Sequence, residues 1–372
     1  MSNLSNKIIN QNKYGSTMNI STCYAAASKG DLEYLKYAHQ NGYKWDDSIC
    51  YVAACNGHIN CLKYAHENGY KLDNSTCYAA ASNGHLDCLK YAHENGCSWL
   101  AYKICYCAAS NGHLDCLKYA HENGCLWFED TCYAAASNGH LECLKYAHEN
   151  GCPWNYKTCY YAASNGHVEC LKYAHKNGCS WHTQDICCEI AENGHVDCLK
   201  YAHENGCPWD EKTCYVASKN GHLECLKYAH ENGCKWDYIT CCEAAYNGHL
   251  DCLKYAHENG CPWNFRVCYH AANSGHLECL KYAHENGCPW NFQTCYMASV
   301  KGHLECLKYA HENGCEWNEW TCNMAASNGH LDCLKYAYLN GCPINKELTL
   351  QTAKLNCRSY IENIIIKRKC NI

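Results

Sequence analysis

Long apolar runs are missing from this sequence. No stretch approaches the roughly 18 residues that a membrane-crossing helix needs. The opening segment, MSNLSNKIINQNKYGSTMNIS, is polar and lacks the apolar run of a secretory signal. The chain is therefore expected to be cytoplasmic, without membrane contact, and to keep its thiols reduced.

A basic face is missing as well. Lysine and arginine total 31 against 37 acidic residues, so the net charge is −6. That balance argues against nucleic acid as a partner. The one basic cluster, Lys367, Arg368 and Lys369, reads as a solvated end. No glycine loop of the phosphate-cradling kind occurs, because the 25 glycines sit mostly at recurring turns. Phenylalanine is scarce, with three copies beside 32 tyrosines and 11 tryptophans. Each phenylalanine position is therefore informative.

Cysteine is abundant, with 39 copies in 372 residues. In a short secreted chain this would indicate a disulfide framework. Here the chain is long and its cysteines fall inside helical patterns. Free thiols buried as small hydrophobic groups are expected.

The sequence is one short text copied many times. The string Leu-Lys-Tyr recurs twelve times, with its leucine at 35, 62, 89, 117, 144, 171, 199, 226, 253, 280, 307 and 334. The spacing is 27 residues apart from two steps of 28, from Leu89 to Leu117 and from Leu171 to Leu199. The extra residue follows Trp99 or Trp181, which marks that segment as a loop.

One unit runs from Thr131 to Lys157. The run Ala134–Ala136 favours helix. The pattern predicts a short helix A from Cys132 to about Ser137, ended by Asn138 and Gly139. It predicts helix B from about His140 to Glu149, with Leu141, Leu144 and His148 on one face. Pro153 forbids its continuation, and Trp154 anchors the passage to the next unit. Two short helices cannot bury their own apolar face, so they must stack on neighbours. The expected fold is all-α, a solenoid of about twelve two-helix units over residues 21–345. Residues 1–20 read as a polar, disordered tail. Residues 346–372 read as a helical cap closed by Leu348, Leu350, Leu355, Tyr360, Ile361, Ile364 and Ile365.

The run AASNGHLECLKYAHENGCPWN resembles the ankyrin repeat, through its alanine pair, its Gly-His-Leu-Glu and its Asn-Gly exit. The resemblance covers about residues 21–345. The text CLKYAHENGCPW is similar to that of ankyrin repeat proteins encoded by giant DNA viruses of amoebae. The resemblance implies a protein partner and no catalysis. The unit departs from the family in being 27 residues rather than 33, with the loss where the family forms its β-hairpin finger. The family's Thr-Pro-Leu-His opening becomes Thr131-Cys132-Tyr133-Ala134 here.

Several columns could carry chemistry. Helix B places a histidine at 39, 66, 93, 121, 148, 175, 203, 230, 257, 284 and 311. Beside the leucines, these are expected to be partly buried and neutral, with their ring nitrogens hydrogen-bonded. A second histidine column, from His58 to His330, is expected to cap or shape the turn between helices. Cys143, His148 and Cys152 do not read as a zinc site. Five residues along a helix turn a side chain by about 140°, so Cys143 and His148 diverge. No metal, cofactor, small-molecule substrate or catalytic set is expected. A single active site would interrupt the repetition.

Architecture repeats, whereas specificity should vary from unit to unit. The most variable stretch follows the tryptophan column, and a second variable column lies in helix A. These hold the candidate partner-binding residues Phe128, Tyr156, Tyr161, Tyr238, Glu243, Phe265, Arg266, His270, Phe292, Met297 and Trp320. All three phenylalanines are among them. Aromatic side chains and arginine are the types enriched at binding hot spots. The reading is a non-catalytic scaffold for another protein. Two alternatives remain: a metal-binding or redox-buffering thiol protein, and a self-associating structural component.

Overall fold

In a computed structural model, residues 20–43, 45–99, 104–181 and 185–369 are described, with side chains from Cys23 to Asn363. The polar stretch 1–19 and the variable positions Tyr102, Lys103, His182, Thr183 and Gln184 lie outside them. So do the side chains of Ile364, Ile365, Lys367, Arg368 and Lys369. Ile20, expected in the tail, opens the first helix. Among the described residues every regular element is an α-helix, and no strand occurs.

The chain divides into two compact bodies that meet in sequence at His182 and Thr183. The first holds six two-helix repeats, from Ile20–Lys29 with Leu32–Gln40 to Tyr156–Ser164 with Val168–Lys176. The second holds six more, from Ile186–Glu192 with Val196–Glu204 to Glu319–Asn328 with Leu331–Leu339. It closes with Lys346–Thr352 and Leu355–Lys369.

The repeat from residue 129 shows the local logic. Helix A is Glu129–Ser137, starting three residues before the expected Cys132. Asn138 and Gly139 end it. The Gly139 N–H bonds to Ala136 O and the His140 N–H to Ala135 O, the paired bonds of a Schellman turn. Gly139 has φ 77°, a left-handed value that suits glycine. Helix B is Leu141–Glu149, with His140 at its N-cap position. It closes the same way at Gly151, where the Cys152 N–H bonds to Ala147 O.

Helix B buries Cys143, Leu144 and Ala147. Leu141 and His148 are half-buried, so the apolar stripe lies one step round from the expected one. Each buried leucine contributes roughly 2 kcal/mol relative to exposure. Helix A buries Thr131, Cys132 and Ala134–Ala136. With side chains this small, A helices of neighbouring repeats pack on each other more closely than B helices do.

The closing pair is held by Ile361, as expected, but not by Leu348 or Leu355. Thr349, Cys357 and Ile361 are fully buried. Thr349 Oγ1 hydrogen-bonds Asn323 of the last repeat. Leu348 is exposed and Leu355 is 82% exposed. Leucine content suggested the wrong contacts, because only one face of a cap meets the body it covers.

Candidate protein-binding surface

The segment after Trp154, Trp209, Trp236, Trp290 and Trp317 runs into helix A, while the residues that follow Trp99 and Trp181, where the loop was expected, lie outside the described ones. In five repeats its first residue caps helix A. Asn155, Asp210, Asp237, Asn291 and Asn318 accept the backbone N–H of the residue two positions on, at 2.9–3.1 Å. The variation between Asn and Asp there is variation among good N-caps, not in binding chemistry.

The aromatic residues follow these caps and open helix A. Tyr156, Tyr238 and Phe292 are first helical residues, and Trp320 is a second. Phe128 and Phe265 stand at N-cap positions themselves. Phe128 is 58% exposed, Trp320 47% and Phe292 41%, while Tyr156 and Tyr161 are exposed to a lesser degree. Tyr238, Glu243, Phe265, His270 and Met297 are half-buried. Arg266 is exposed, and its guanidinium lies 5.8 Å from the Tyr238 ring centre. His270 meets Tyr269 and Tyr246 edge-on at 5.1 and 5.6 Å. Burial, and then the nearby Arg266 charge, hold its pKa below the ordinary value. Tyr161 lies 5.5 Å from Tyr133. Among the described residues, no ring contact joins Phe292 or Trp320 to another aromatic side chain. Tyr51, Tyr78 and Tyr246, which were not among the expected residues, are also exposed on A helices. Tyr51 and Tyr78 share a column that is mostly tyrosine, so variability did not select them; the Tyr246 column, with Cys55, Glu192, Lys219, Asn273 and Val300, does vary and was passed over.

The helix B histidines are architectural. His148 stacks on Trp154 with centroids 3.7 Å apart and planes 12° apart. Its Nδ1 bonds to the hydroxyl of Tyr173, one repeat on, at 3.1 Å. The same bond recurs from His39 with Tyr64 to His311 with Tyr336. Further along the chain, Tyr255 donates to Glu231, so His230 Nδ1 carries the proton in the His230–Tyr255 bond. Burial holds the pKa of His93, His175 and His230 below the ordinary value. This agrees with the expected neutral, bonded state. The sequence did contain a signal for the tyrosine partner. The last repeat carries Tyr338 instead of histidine, and no Leu-Lys-Tyr follows it.

The second histidine column does not cap its own helix through its side chain, which corrects one half of the expectation; its role at a turn holds, but at the turn of the preceding repeat. None of these side chains makes a capping bond. Each reaches back to the preceding repeat instead. His58 Nε2 meets Ser28 O at 3.0 Å, His113 meets Ser82 O at 3.1 Å, and His330 meets Val300 O at 3.1 Å. The ring covers the turn glycine of that repeat, so a Cβ on Gly139 would lie 2.6 Å from His167 Nδ1.

The cysteines other than Cys55 are buried and unpaired by disulfides among the described residues. Burial pushes the Cys143 thiol up to about 12. Among the described residues no three His, Cys, Asp or Glu side chains converge as metal ligands.

The histidine after the turn glycine in every repeat but the first, the buried alanine run and the paired short helices converge on one motif. Residues 77–121, 132–175, 187–230 and 295–337 match the family model for ankyrin repeats in many copies. Those segments are ankyrin repeats. Ankyrin repeats indicate a protein-interaction scaffold, and their fold is typically non-catalytic. The fold class is as read from the sequence, an all-helical ankyrin solenoid. The shortened exits Cys152–Asn155 carry no strand in place of the ankyrin finger. Among solved ankyrin structures, the human ASB11 ankyrin repeat domain is similar at 20% identity and TM-score 0.39. That match covers 43% of this chain and 85% of the other. No curated protein matches the chain. No described helix is long and apolar enough to cross a membrane.

Proposed function

We propose that this ankyrin chain is a viral scaffold that holds one host or viral protein in the cytosol of an infected amoeba. The binding region is residues 21–345, closed by the cap at 346–372. The viral element rests on the resemblance of CLKYAHENGCPW to ankyrin proteins of giant viruses. Nucleic acid, membrane, cofactor and small-molecule substrate have no place in this reading.

The observation that carries it is the set of exposed aromatics at the starts of A helices. Burial of Phe292 and Trp320 is incomplete in the chain alone, and among the described residues no other ring is in contact with either of them. Large apolar surface of this kind is stabilised when a partner removes it from water. Arg266 over Tyr238 adds a charged donor to the same face of the second body. In the first, Tyr156 takes the position of Phe292, with Phe128 at an N-cap and Tyr161 in the column of His270 and Met297. Glu243, His270 and Met297 border them on helix A.

The test is affinity capture of the tagged chain from amoebal lysate under reducing conditions, with mass spectrometry of what is retained. One protein retained in stoichiometric amount, and competed by untagged chain, supports the scaffold. Self-association with nothing else retained replaces it with the structural reading.

A further inference from the structure

Every repeat carries a lysine on helix B, three residues after a glutamate, an aspartate or, once, an asparagine. That earlier residue decides where the lysine goes. After Glu33, Glu142, Glu169, Glu224, Glu278 and Glu305, the ammonium closes an ion pair inside its own helix, at 2.8–3.0 Å. After Asn60, Asp87, Asp115, Asp197, Asp251 and Asp332, among the described residues, no ion pair forms. The lysine crosses instead to a tyrosine ring of the next unit. Lys63 lies 5.5 Å from the ring centre of Tyr91, Lys90 5.7 Å from that of Tyr119 and Lys118 5.6 Å from that of Tyr146. Lys200 and Lys254 cross to Tyr228 and Tyr282 at 5.9 and 5.7 Å, and Lys335 reaches Tyr360 of the closing helix at 5.9 Å. Aspartate is one methylene shorter than glutamate. Its carboxylate stays at the first turn of helix B, beside the free N–H groups there, and a lysine three residues on does not close on it. Asn60 offers no charge, and Lys63 crosses as well. The crossing therefore follows from the lack of a carboxylate within reach.

We propose that this position sets the stiffness of the array repeat by repeat: glutamate keeps the lysine at home, whereas aspartate or asparagine makes it a clamp on the next unit. A cation over a ring face is attracted to it. In a stacked array, contacts between neighbours set how readily one layer parts from the next. A crossing lysine grips a tyrosine that the same repeat already holds by its hydroxyl, as His66 and Lys63 both hold Tyr91. Where the lysine stays home, as with Lys281, only the histidine bond remains, from His284 to Tyr309. The pattern is uneven. In the first body Lys63, Lys90 and Lys118 clamp three successive interfaces, from helix Ile59–Glu67 to helix Leu141–Glu149. In the second, Lys281 and Lys308 both stay home. The two successive interfaces from helix Leu277–Glu285 to helix Leu331–Leu339 therefore have no clamp. Phe292 and Trp320 stand on the A helices of these repeats, so the exposed rings sit where the second body yields.

The test is NMR of the full chain labelled at lysine, followed by hydrogen exchange of exchanged residues. A ring beneath the ammonium shifts the neighbouring methylene signal upfield. The signals of Lys63, Lys90, Lys118, Lys200, Lys254 and Lys335 should lie upfield of those of Lys145, Lys227, Lys281 and Lys308. Asp115→Glu should return the Lys118 signal to the second group, and Glu305→Asp should bring the Lys308 signal into the first. These surface changes leave the buried side chains untouched, and circular dichroism checks the fold. In the double variant Glu278→Asp, Glu305→Asp, amide exchange in helix Leu304–Glu312 should slow by roughly two- to fivefold, the range that a surface cation–ring contact supplies. Lysine signals that ignore the residue three places before, or that stay put in the swapped variants, would overturn the switch. Signals that move while exchange stays the same would overturn its effect on stiffness.

Discussion

His148 and Trp154 stack face to face, 3.7 Å apart and 12° from parallel. The exit tryptophan of a repeat thus covers the histidine of the same repeat, while Tyr173 of the next repeat holds the ring edge-on. One imidazole joins helix B, the exit segment and the neighbouring layer. Stacking between repeats, rather than helix propensity, stabilises helices this short.

Acid should therefore loosen the array. Burial depresses the pKa of His93, His175 and His230 in the folded chain. Their unfolded value is near 6.5. The unfolded chain binds more protons as pH falls through that value, so stability is present above it and declines below. The melting temperature should fall steadily from pH 7.5 to pH 5, accompanied by a change in tryptophan fluorescence. A flat profile over that range contradicts the assignment.

Tyr173→Phe should cost about 1 kcal/mol, the usual worth of one hydrogen bond, because it leaves the half-buried Nδ1 of His148 unpaired. Urea unfolding at pH 7.5 measures this. The same change at Tyr338, which replaces the histidine in the last repeat and packs edge-on at 6.5 Å from Tyr360, should cost less. Equal costs at the two sites would mean that the His–Tyr bond contributes nothing.

Two glycines separate backbone strain from contact. Gly139 and Gly151 both have positive φ, 77° and 85°. A Cβ at Gly151 meets nothing within 4 Å, whereas at Gly139 it strikes the His167 ring. Gly151→Ala should cost roughly 1–2 kcal/mol from the backbone alone, and Gly139→Ala distinctly more. Gly139→Ala combined with His167→Ala should remove part of the excess. If the two single variants unfold at the same urea concentration, the histidine does not press on the turn.

The same histidine shows where the sequence was readable and where it was not. The register was plain, because 27-residue spacing recurs with two single insertions. Helix B was placed within a residue, since Asn-Gly pairs bound it on both sides. Helix A was set too short, because Glu129 and Asp130 look like loop residues until the cap position is known. His167 was assigned to its own helix because short-range patterns report neighbours in sequence, whereas its partners lie about thirty residues back. The cap misled for a related reason: Thr349 and Cys357 are buried, and Leu355 is not. Of the candidate surface, the aromatic identities could be read, but their placement at helix starts could not.

Capping and binding should come apart by mutation. Asn155→Ala removes the acceptor for the Lys157 N–H and should cost about 1 kcal/mol. Tyr156→Ala, one residue on, should leave the melting temperature nearly unchanged. Thermal melts of the two variants, run side by side, check this. A larger loss in Tyr156→Ala would make that ring part of the architecture rather than of the surface.

The most direct measurement is the affinity of a captured partner for the natural chain and for the triple variant Phe265→Ala, Phe292→Ala, Trp320→Ala. Circular dichroism and melting must match between the two. The expected result is a loss of affinity of tenfold or more with the fold unchanged, in line with hot-spot aromatics. Undiminished affinity in a folded triple variant would contradict a binding surface at the starts of these A helices.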